Sequence, residues 1–74
     1  SARVIDSIIS KKLVQKNKSD SISDDKLYNL ISKGRVRFNK SEIRNEPCAI
    51  YYVESGDLSL LIENCEDQAL VEFK

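Results

Sequence analysis

The sequence predicts a single α+β domain in which two N-terminal helices pack on a small, mostly antiparallel sheet. Apolar residues recur with helical spacing in the first part of the chain, whereas from Arg35 onward apolar and polar residues alternate with a period of two. The chain has 74 residues, which is too short for a second hydrophobic core. We therefore expect one domain over residues 1–74. Because the chain begins with Ser1 rather than Met, we expect this domain to be excised from a longer protein.

The first helix is predicted to run from about Arg3 to Lys16. Its apolar stripe consists of Val4, Ile5, Ile8, Ile9 and Leu13. These residues are three to five positions apart or adjacent, so they share one face of a helix. Residues 17–21 are polar and are typical of a turn.

The second helix is predicted to begin after Ser23, which is a favourable N-cap residue, and to carry Asp24 and Asp25 in its first turn. Gly34 follows Lys33 and provides the usual helix stop. The predicted buried stripe of this helix is Leu27, Leu30 and Ile31.

A short strand is predicted after Gly34, with Arg35 and Arg37 facing solvent and Val36 and Phe38 facing the core. A polar turn over residues 39–42 follows, Ile43 is expected to point inward, and Pro47 excludes a helix through the next stretch. Three further strands are predicted over residues 49–53, 58–63 and 69–73, with a tight turn at residues 54–57. Together with the first-helix stripe, the expected core is Leu27, Leu30, Ile31, Val36, Ile50, Leu60 and Ile62.

The two cysteines, Cys48 and Cys65, are too few for a disulfide-rich secreted scaffold. The chain has no His and no Cys-x-x-Cys pair, so they are poor zinc ligands. We expect buried reduced thiols. A disulfide between strands that lie side by side is the alternative.

The residue types offer little support for catalysis. The chain lacks His, a Gly-x-Ser-x-Gly turn and a phosphate-binding glycine loop. Asp24 and Asp25 are explained by the start of a helix, and the acidic residues around positions 63–67 lack the oxygen-ligand spacing of a calcium site. The sequence therefore predicts a protein that is not an enzyme and has no cofactor and no metal site.

Charge is neutral in sum but uneven along the chain. Residues 1–47 contain eleven basic and six acidic residues, whereas residues 48–74 contain one basic and six acidic residues. Such asymmetry favours a basic face for a polyanion and an acidic flank for a different partner. Two ordinary solvated surfaces are the alternative.

The run from Lys33 to Lys40, here called the basic segment, carries four positive charges and no acid. Alternation along a strand holds Arg35 and Arg37 on one side, where guanidinium groups can bind phosphate oxygens in a bidentate way. Lys33 and Lys40 extend this surface at both ends. The pattern favours binding to a nucleic-acid backbone.

The same stretch resembles the S4 RNA-binding domain family. In that family a helix ending in Leu-Ile-x-x-Gly leads into a Val-x-Val-Asn strand and turn, a Pro follows, and a Val-x-x-Gly-Asp turn begins the last strands. The matching residues are Leu30, Ile31, Gly34, Val36, Phe38, Asn39, Pro47, Val53, Gly56 and Asp57. Arg3 and Asp6 resemble the Arg-Leu-Asp opening of the family's first helix, with one extra residue between them.

The resemblance implies a non-catalytic module that binds structured RNA, either rRNA or tRNA, as a monomer and without membrane contact. The ending of the chain is most similar to S4-like modules of organellar proteins, which implies a mitochondrial location, with the cytoplasm as the alternative. A ribosome or an attached catalytic domain is a further expected partner. The predicted RNA-binding residues are Arg3, Lys26, Lys33, Arg35, Arg37, Asn39 and Lys40.

The chain departs from the family at the start of the second helix. Family members carry Ser-Arg there, and the basic residue contacts RNA, whereas this chain has Ser23-Asp24. The loop between the helices is also longer, and either its Lys16 and Lys18 or Lys26 is expected to compensate. A rival function is protein docking, in which the acidic C-terminal half binds a basic partner.

Overall fold

A computed structural model describes residues 2–16 and 22–74 of the chain. In chain order its elements are α1 (Ala2–Ile9), β1 (Lys12–Gln15), α2 (Asp24–Ser32), β2 (Arg35–Val36), a 3₁₀ turn (Phe38–Lys40), β3 (Ala49–Ser55), β4 (Leu58–Asn64) and β5 (Gln68–Phe73). The strands form one sheet in the order β1-β5-β4-β3-β2. β1 is parallel to β5, and the other three pairings are antiparallel.

The predicted α+β class, with two N-terminal helices and a mostly antiparallel sheet, is confirmed, but the sheet has a fifth strand that was not predicted and that pairs in parallel. The difference arises in the first predicted helix, which ends at Ile9 rather than near Lys16. Leu13 is buried as expected, yet it lies on β1 opposite Ala69. The spacing of four from Ile9 to Leu13 suits a helix. However, residues 12–15 pair with β5, which lies far along the chain, and a local pattern cannot reveal such a partner. The pairing continues in the hydrogen bond from Lys16 N to Val71 O (2.8 Å).

The second helix is confirmed at both ends. Ser23 Oγ accepts a hydrogen bond from Lys26 N (3.3 Å), which caps the first turn as predicted. At the other end, Gly34 N donates to Ile31 O (2.9 Å). A Cβ atom on Gly34 would lie 2.5 Å from Val53 Cγ1, so glycine allows α2 to end directly against β3. The turn predicted over residues 17–21 lies outside the described residues.

The core lies between the helices and one face of the sheet. Its buried residues are Ile5, Ile8, Leu13, Leu27, Ile31, Val36, Val53, Leu60, Ile62, Ala69 and Val71. Leu30 and Ile50, which were expected in the core, are only half-buried. Alternation along β3 puts Ile50 on the sheet face opposite Val53, so it does not contact the helices.

Two other residues expected to point inward are exposed. Phe38 is 49% exposed and Ile43 is 53% exposed. β2 ends at Val36 and the chain turns into a 3₁₀ conformation, so the period of two that predicted an inward Phe38 stops before that residue. Ile43 lies in the connection between this turn and β3, outside any regular strand.

The hairpin between β3 and β4 matches its prediction. Gly56 has a φ angle of +60°, a left-handed conformation that glycine adopts without steric cost. Ser55 Oγ donates to Leu30 O (2.7 Å), which fastens the hairpin to α2.

The expectation of reduced thiols is wrong, because Cys48 and Cys65 form a disulfide. β3 and β4 pair in a register that places Ala49 opposite Asn64, so the next residues outward, Cys48 and Cys65, also face each other. Their Cα atoms are 4.6 Å apart, within disulfide range. The sequence contains both cysteines but does not specify this register, so it left the pairing open.

Candidate nucleic-acid interface

The basic segment passes through three backbone conformations at one edge of the sheet. Lys33 is the C-cap of α2, Arg35 begins β2, and Lys40 ends the 3₁₀ turn. β2 is an edge strand, so no further strand covers this side in the part of the chain that the structure describes. Lys33, Arg35 and Lys40 are all exposed. The edge therefore presents closely spaced cations to solvent.

Arg37 differs from its neighbours because it is already paired. Its Nη1 atom lies 2.8 Å from Glu54 Oε1, and the two side chains are 40% and 34% exposed. Glu54 is also the register partner of Arg35, so the two arginines flank the same carboxylate. The sequence predicted both arginines on one face. It did not indicate that an acid from β3 would neutralise part of that charge.

Asn39 and Lys40 lie in the 3₁₀ turn and are exposed. Lys40 Nζ is 5.0 Å from the centroid of the Tyr52 ring, a cation–π contact. The adjacent tyrosines lie on opposite faces of the sheet, because Tyr51 packs against the core and Tyr52 is the next residue along β3.

Ser41 anchors this turn and was missed by the sequence analysis. Its Oγ atom donates to Arg37 O (2.8 Å) and accepts from Tyr52 N (2.9 Å), and Arg37 N donates to Tyr52 O (2.8 Å). These hydrogen bonds fix the turn on β3. A serine in a polar turn has no distinctive sequence signal, because its partner on β3 becomes known only from the strand pairing.

Two predicted site residues lie outside the basic segment, on the two helices. Lys26 is exposed on the first turn of α2 and borders a shallow groove of about 310 Å³ lined also by Ile22, Leu30, Leu58 and Phe73. Seven residues separate Lys26 from Lys33, so the two positions lie on nearly the same side of α2 and roughly 10 Å apart along its axis. Arg3 is exposed in the first turn of α1, a helix that contacts β2, and it takes part in neither described ion pair.

The structure thus brings together five of the seven predicted residues, which are Lys33, Arg35, Arg37, Asn39 and Lys40. Their proximity follows largely from their position in one short stretch of sequence. Lys26 extends this surface along α2, and Arg3 lies on α1, which contacts β2.

The acidic half of the chain is partly neutralised by a residue of the basic half. Lys16 Nζ lies 2.8 Å from Glu63 Oε1, and this hydrogen bond to a carboxylate raises the pKa of Lys16. Lys16 is therefore engaged at β4, the central strand, which β3 separates from β2. Lys18, the other lysine expected to compensate for Asp24, lies outside the described residues.

Glu66 and Asp67 remain exposed in the turn between β4 and β5, next to the disulfide. They lie at the end of the β3–β4 ladder that begins at Ala49, whereas Arg35 pairs with Glu54 near the other end. Ala49 and Glu54 are about 17 Å apart along an extended strand. Within residues 2–16 and 22–74, no group of three potential ligands is arranged to hold a metal ion. The acidic and basic surfaces are thus at different ends of the sheet.

In the part of the chain that the structure describes, no helix is long and apolar enough to cross a membrane. Comparison of the chain with models of known protein families, with curated proteins and with solved structures finds no match.

Proposed function

We propose that this chain is an S4-like RNA-binding module that binds structured RNA, such as rRNA or tRNA, through the basic segment. The observation that carries the proposal is the set of exposed cations at the β2 edge. Lys33, Arg35 and Lys40 lie within eight residues and have no acidic partner among the described ion pairs. Closely spaced exposed cations are suited to a polyanion.

The geometry of the resembling motif supports the same proposal. Gly34 lies where a side chain would overlap Val53, and Gly56 has a positive φ angle. Both glycines of the S4-like pattern are thus at positions with a specific backbone requirement. The strand β1 between the two helices is an addition to the two-helix arrangement that the resemblance implies.

The proposed mechanism is electrostatic positioning without catalysis. Arg35 binds one phosphate with two parallel hydrogen bonds, and Lys33 and Lys40 act as point charges on neighbouring phosphates. Arg37 contributes when phosphate competes with Glu54 for its guanidinium. Asn39 donates its amide to the RNA backbone or to a sugar hydroxyl, a group that distinguishes RNA from DNA.

The test is a salt titration of RNA binding with charge-matched variants. Lys33→Gln with Arg35→Gln removes two exposed cations of the basic segment. Lys12→Gln with Lys74→Gln removes two exposed cations from β1 and the end of β5, which β4 and β3 separate from β2. Binding to a structured RNA hairpin is measured by fluorescence anisotropy, and the fold is checked by circular dichroism.

We expect the first pair to weaken binding and to flatten the plot of log affinity against log salt by roughly 0.7–0.9 for each phosphate that is no longer bound. The control pair should leave the slope close to that of the wild type. An equal loss of RNA affinity in the two double variants would show a general charge effect and contradict the proposed site. Absence of RNA binding by the folded chain at low salt would overturn the function and favour protein docking. Glu63→Lys with Glu66→Lys would then test the docking function.

A further inference from the structure

Phe38 is an aromatic ring displayed on the basic segment. It is 49% exposed although it is one of only five aromatic residues in the chain. Large aromatic side chains contribute most when they are covered, so exposure of the ring gives up that stabilisation. The exposed ring is therefore accessible to a ligand.

The backbone beneath Phe38 is held firmly. Lys40 N donates to Arg37 O (3.0 Å), and Ser41 N donates to Phe38 O (3.2 Å), which closes the 3₁₀ turn. Ser41 Oγ then fastens the turn to Tyr52 N on β3. A contact group on such a fixed backbone loses little conformational entropy on binding. The fold thus presents this ring in a preorganised position.

The charges next to Phe38 in the sequence indicate what its ring contacts. Arg35, Arg37 and Lys40 are within three residues of Phe38, and no acidic residue occurs from position 33 to position 41. Aromatic rings flanked by cations suit single-stranded nucleic acid, because bases stack on the ring while phosphates contact the cations. Tyr52 is less suited to this role because the ammonium of Lys40 lies over its ring.

We propose that Phe38 stacks on an unpaired base while Lys33, Arg35 and Lys40 contact the adjoining phosphates. This inference rests on the proposed function and narrows its ligand. Bases within a continuous duplex are already stacked and paired, so a protein ring reaches only bases in loops, bulges or single strands. The preferred ligand is therefore an RNA with an unpaired base beside a helix.

The experiment compares two RNAs and four proteins. One RNA is a hairpin with 2-aminopurine in its loop, and the other is a continuous duplex of the same stem sequence. The proteins are the wild type, Phe38→Ala, Phe38→Tyr and Ile43→Ala. Ile43 provides a matched control because it is 53% exposed in the connection that follows the same turn. Affinities are measured by anisotropy, and stacking is measured by quenching of 2-aminopurine fluorescence.

We expect the wild type to prefer the hairpin by about 5- to 150-fold, which corresponds to the usual contribution of one stacked base. Phe38→Ala should lose that preference and the quenching, and should bind the duplex with the affinity and salt slope of the wild type. Phe38→Tyr and Ile43→Ala should both behave like the wild type.

Two results would overturn the inference while leaving the proposed function intact. One is equal binding of hairpin and duplex by the wild type, and the other is an unchanged hairpin preference in Phe38→Ala. Equal losses in Phe38→Ala and Ile43→Ala would also contradict it, because they would indicate a general apolar contact. Binding of neither RNA by the wild type would instead contradict the proposed function itself.

Discussion

The guanidinium of Arg37 and the carboxylate of Glu54 form an ion pair with a separation of 2.8 Å across the junction of β2 and β3. The pair lies at the centre of the proposed RNA surface, and Glu54 is also opposite Arg35 in the strand register. Glu54 therefore has two opposing effects. It holds Arg37 in place, and it lowers the positive potential that phosphate would encounter.

The first prediction is that Glu54→Gln strengthens RNA binding. The substitution keeps the shape and a hydrogen-bond acceptor for Arg37 but removes one negative charge from the surface. We expect tighter binding at low salt and a salt slope that is steeper by roughly 0.7–0.9, the value for one additional phosphate contact. Because the pair is partly exposed, stability should change by about 1 kcal/mol or less. Glu72→Gln, on β5, is the control, and an equal gain there would indicate only a change in net charge.

The second prediction concerns the close approach of α2 to β3. Gly34→Ala should destabilise the fold by about 1–3 kcal/mol, because its Cβ would overlap Val53 Cγ1 and Val53 is fully buried. Val53→Ala removes that methyl group, so the cost of Gly34→Ala should be smaller in the Val53→Ala background. Urea denaturation of the two single variants and the double variant gives this coupling. Strict additivity would show that the overlap is not the cause.

The third prediction separates the two leucines of α2. Leu27 is fully buried, so Leu27→Ala should cost about 2–5 kcal/mol. Leu30 is half-buried at the border of a groove, and Leu30→Ala should cost clearly less. Urea denaturation measures both free energies of unfolding. Equal losses would mean that Leu30 belongs to the core, as the helical stripe alone predicted.

The fourth prediction concerns the disulfide. Cys48 and Cys65 are separated by 17 positions, and closing a loop of this size stabilises a fold by about 3 kcal/mol. Cys48→Ser with Cys65→Ser should lower the free energy of unfolding by about that amount. The disulfide is remote from Arg35 along β3, so RNA affinity should be unchanged under conditions in which the variant remains folded. A specific loss of affinity in the folded variant would show that the two ends of the sheet are coupled.

The fifth prediction follows from the pair formed by Lys16 and Glu63. The pKa of Lys16 is raised above its ordinary value of 10.5, chiefly by the hydrogen bond to the Glu63 carboxylate. A raised pKa in the folded state means that the pair contributes fully from neutral pH up to about pH 10.5 and that this contribution is lost as pH rises through the raised value. Both side chains are partly exposed, so the effect on stability is small.

A nuclear magnetic resonance titration of the Lys16 side chain tests this prediction directly. Lys16 should lose its proton at a higher pH in the wild type than in Glu63→Gln. Glu66→Gln is the control, because Glu66 is not paired with Lys16 in the described contacts. A Lys16 titration that is the same in the wild type and in Glu63→Gln would contradict the pairing.

Much of the fold could be predicted from local patterns. The N-cap at Ser23, the helix stop at Gly34 and the turn at Gly56 depend on residues near one another in sequence, and all three are present. The features that were wrong depend on remote partners. β1 needs β5, and the disulfide needs the register of β3 and β4.

In the candidate site, too, features that depend on neighbouring residues could be predicted, and features that depend on remote partners could not. The basic segment was visible in the sequence because its charges are contiguous. The pairing of Arg37 with Glu54 and the anchoring role of Ser41 were not, because both partners lie on β3. Phe38 was misplaced because alternation was extended past the end of β2.

The parallel pairing of β1 with β5 sets an order for assembly. β3, β4 and β5 are joined by short turns and can form early, whereas β1 is an edge strand that has β5 as its strand partner in the described part of the chain. The loop that must close before β1 can pair contains most of the chain, which slows this step relative to hairpin formation. During synthesis, β1 must therefore wait for residues 68–73 before it reaches its final position.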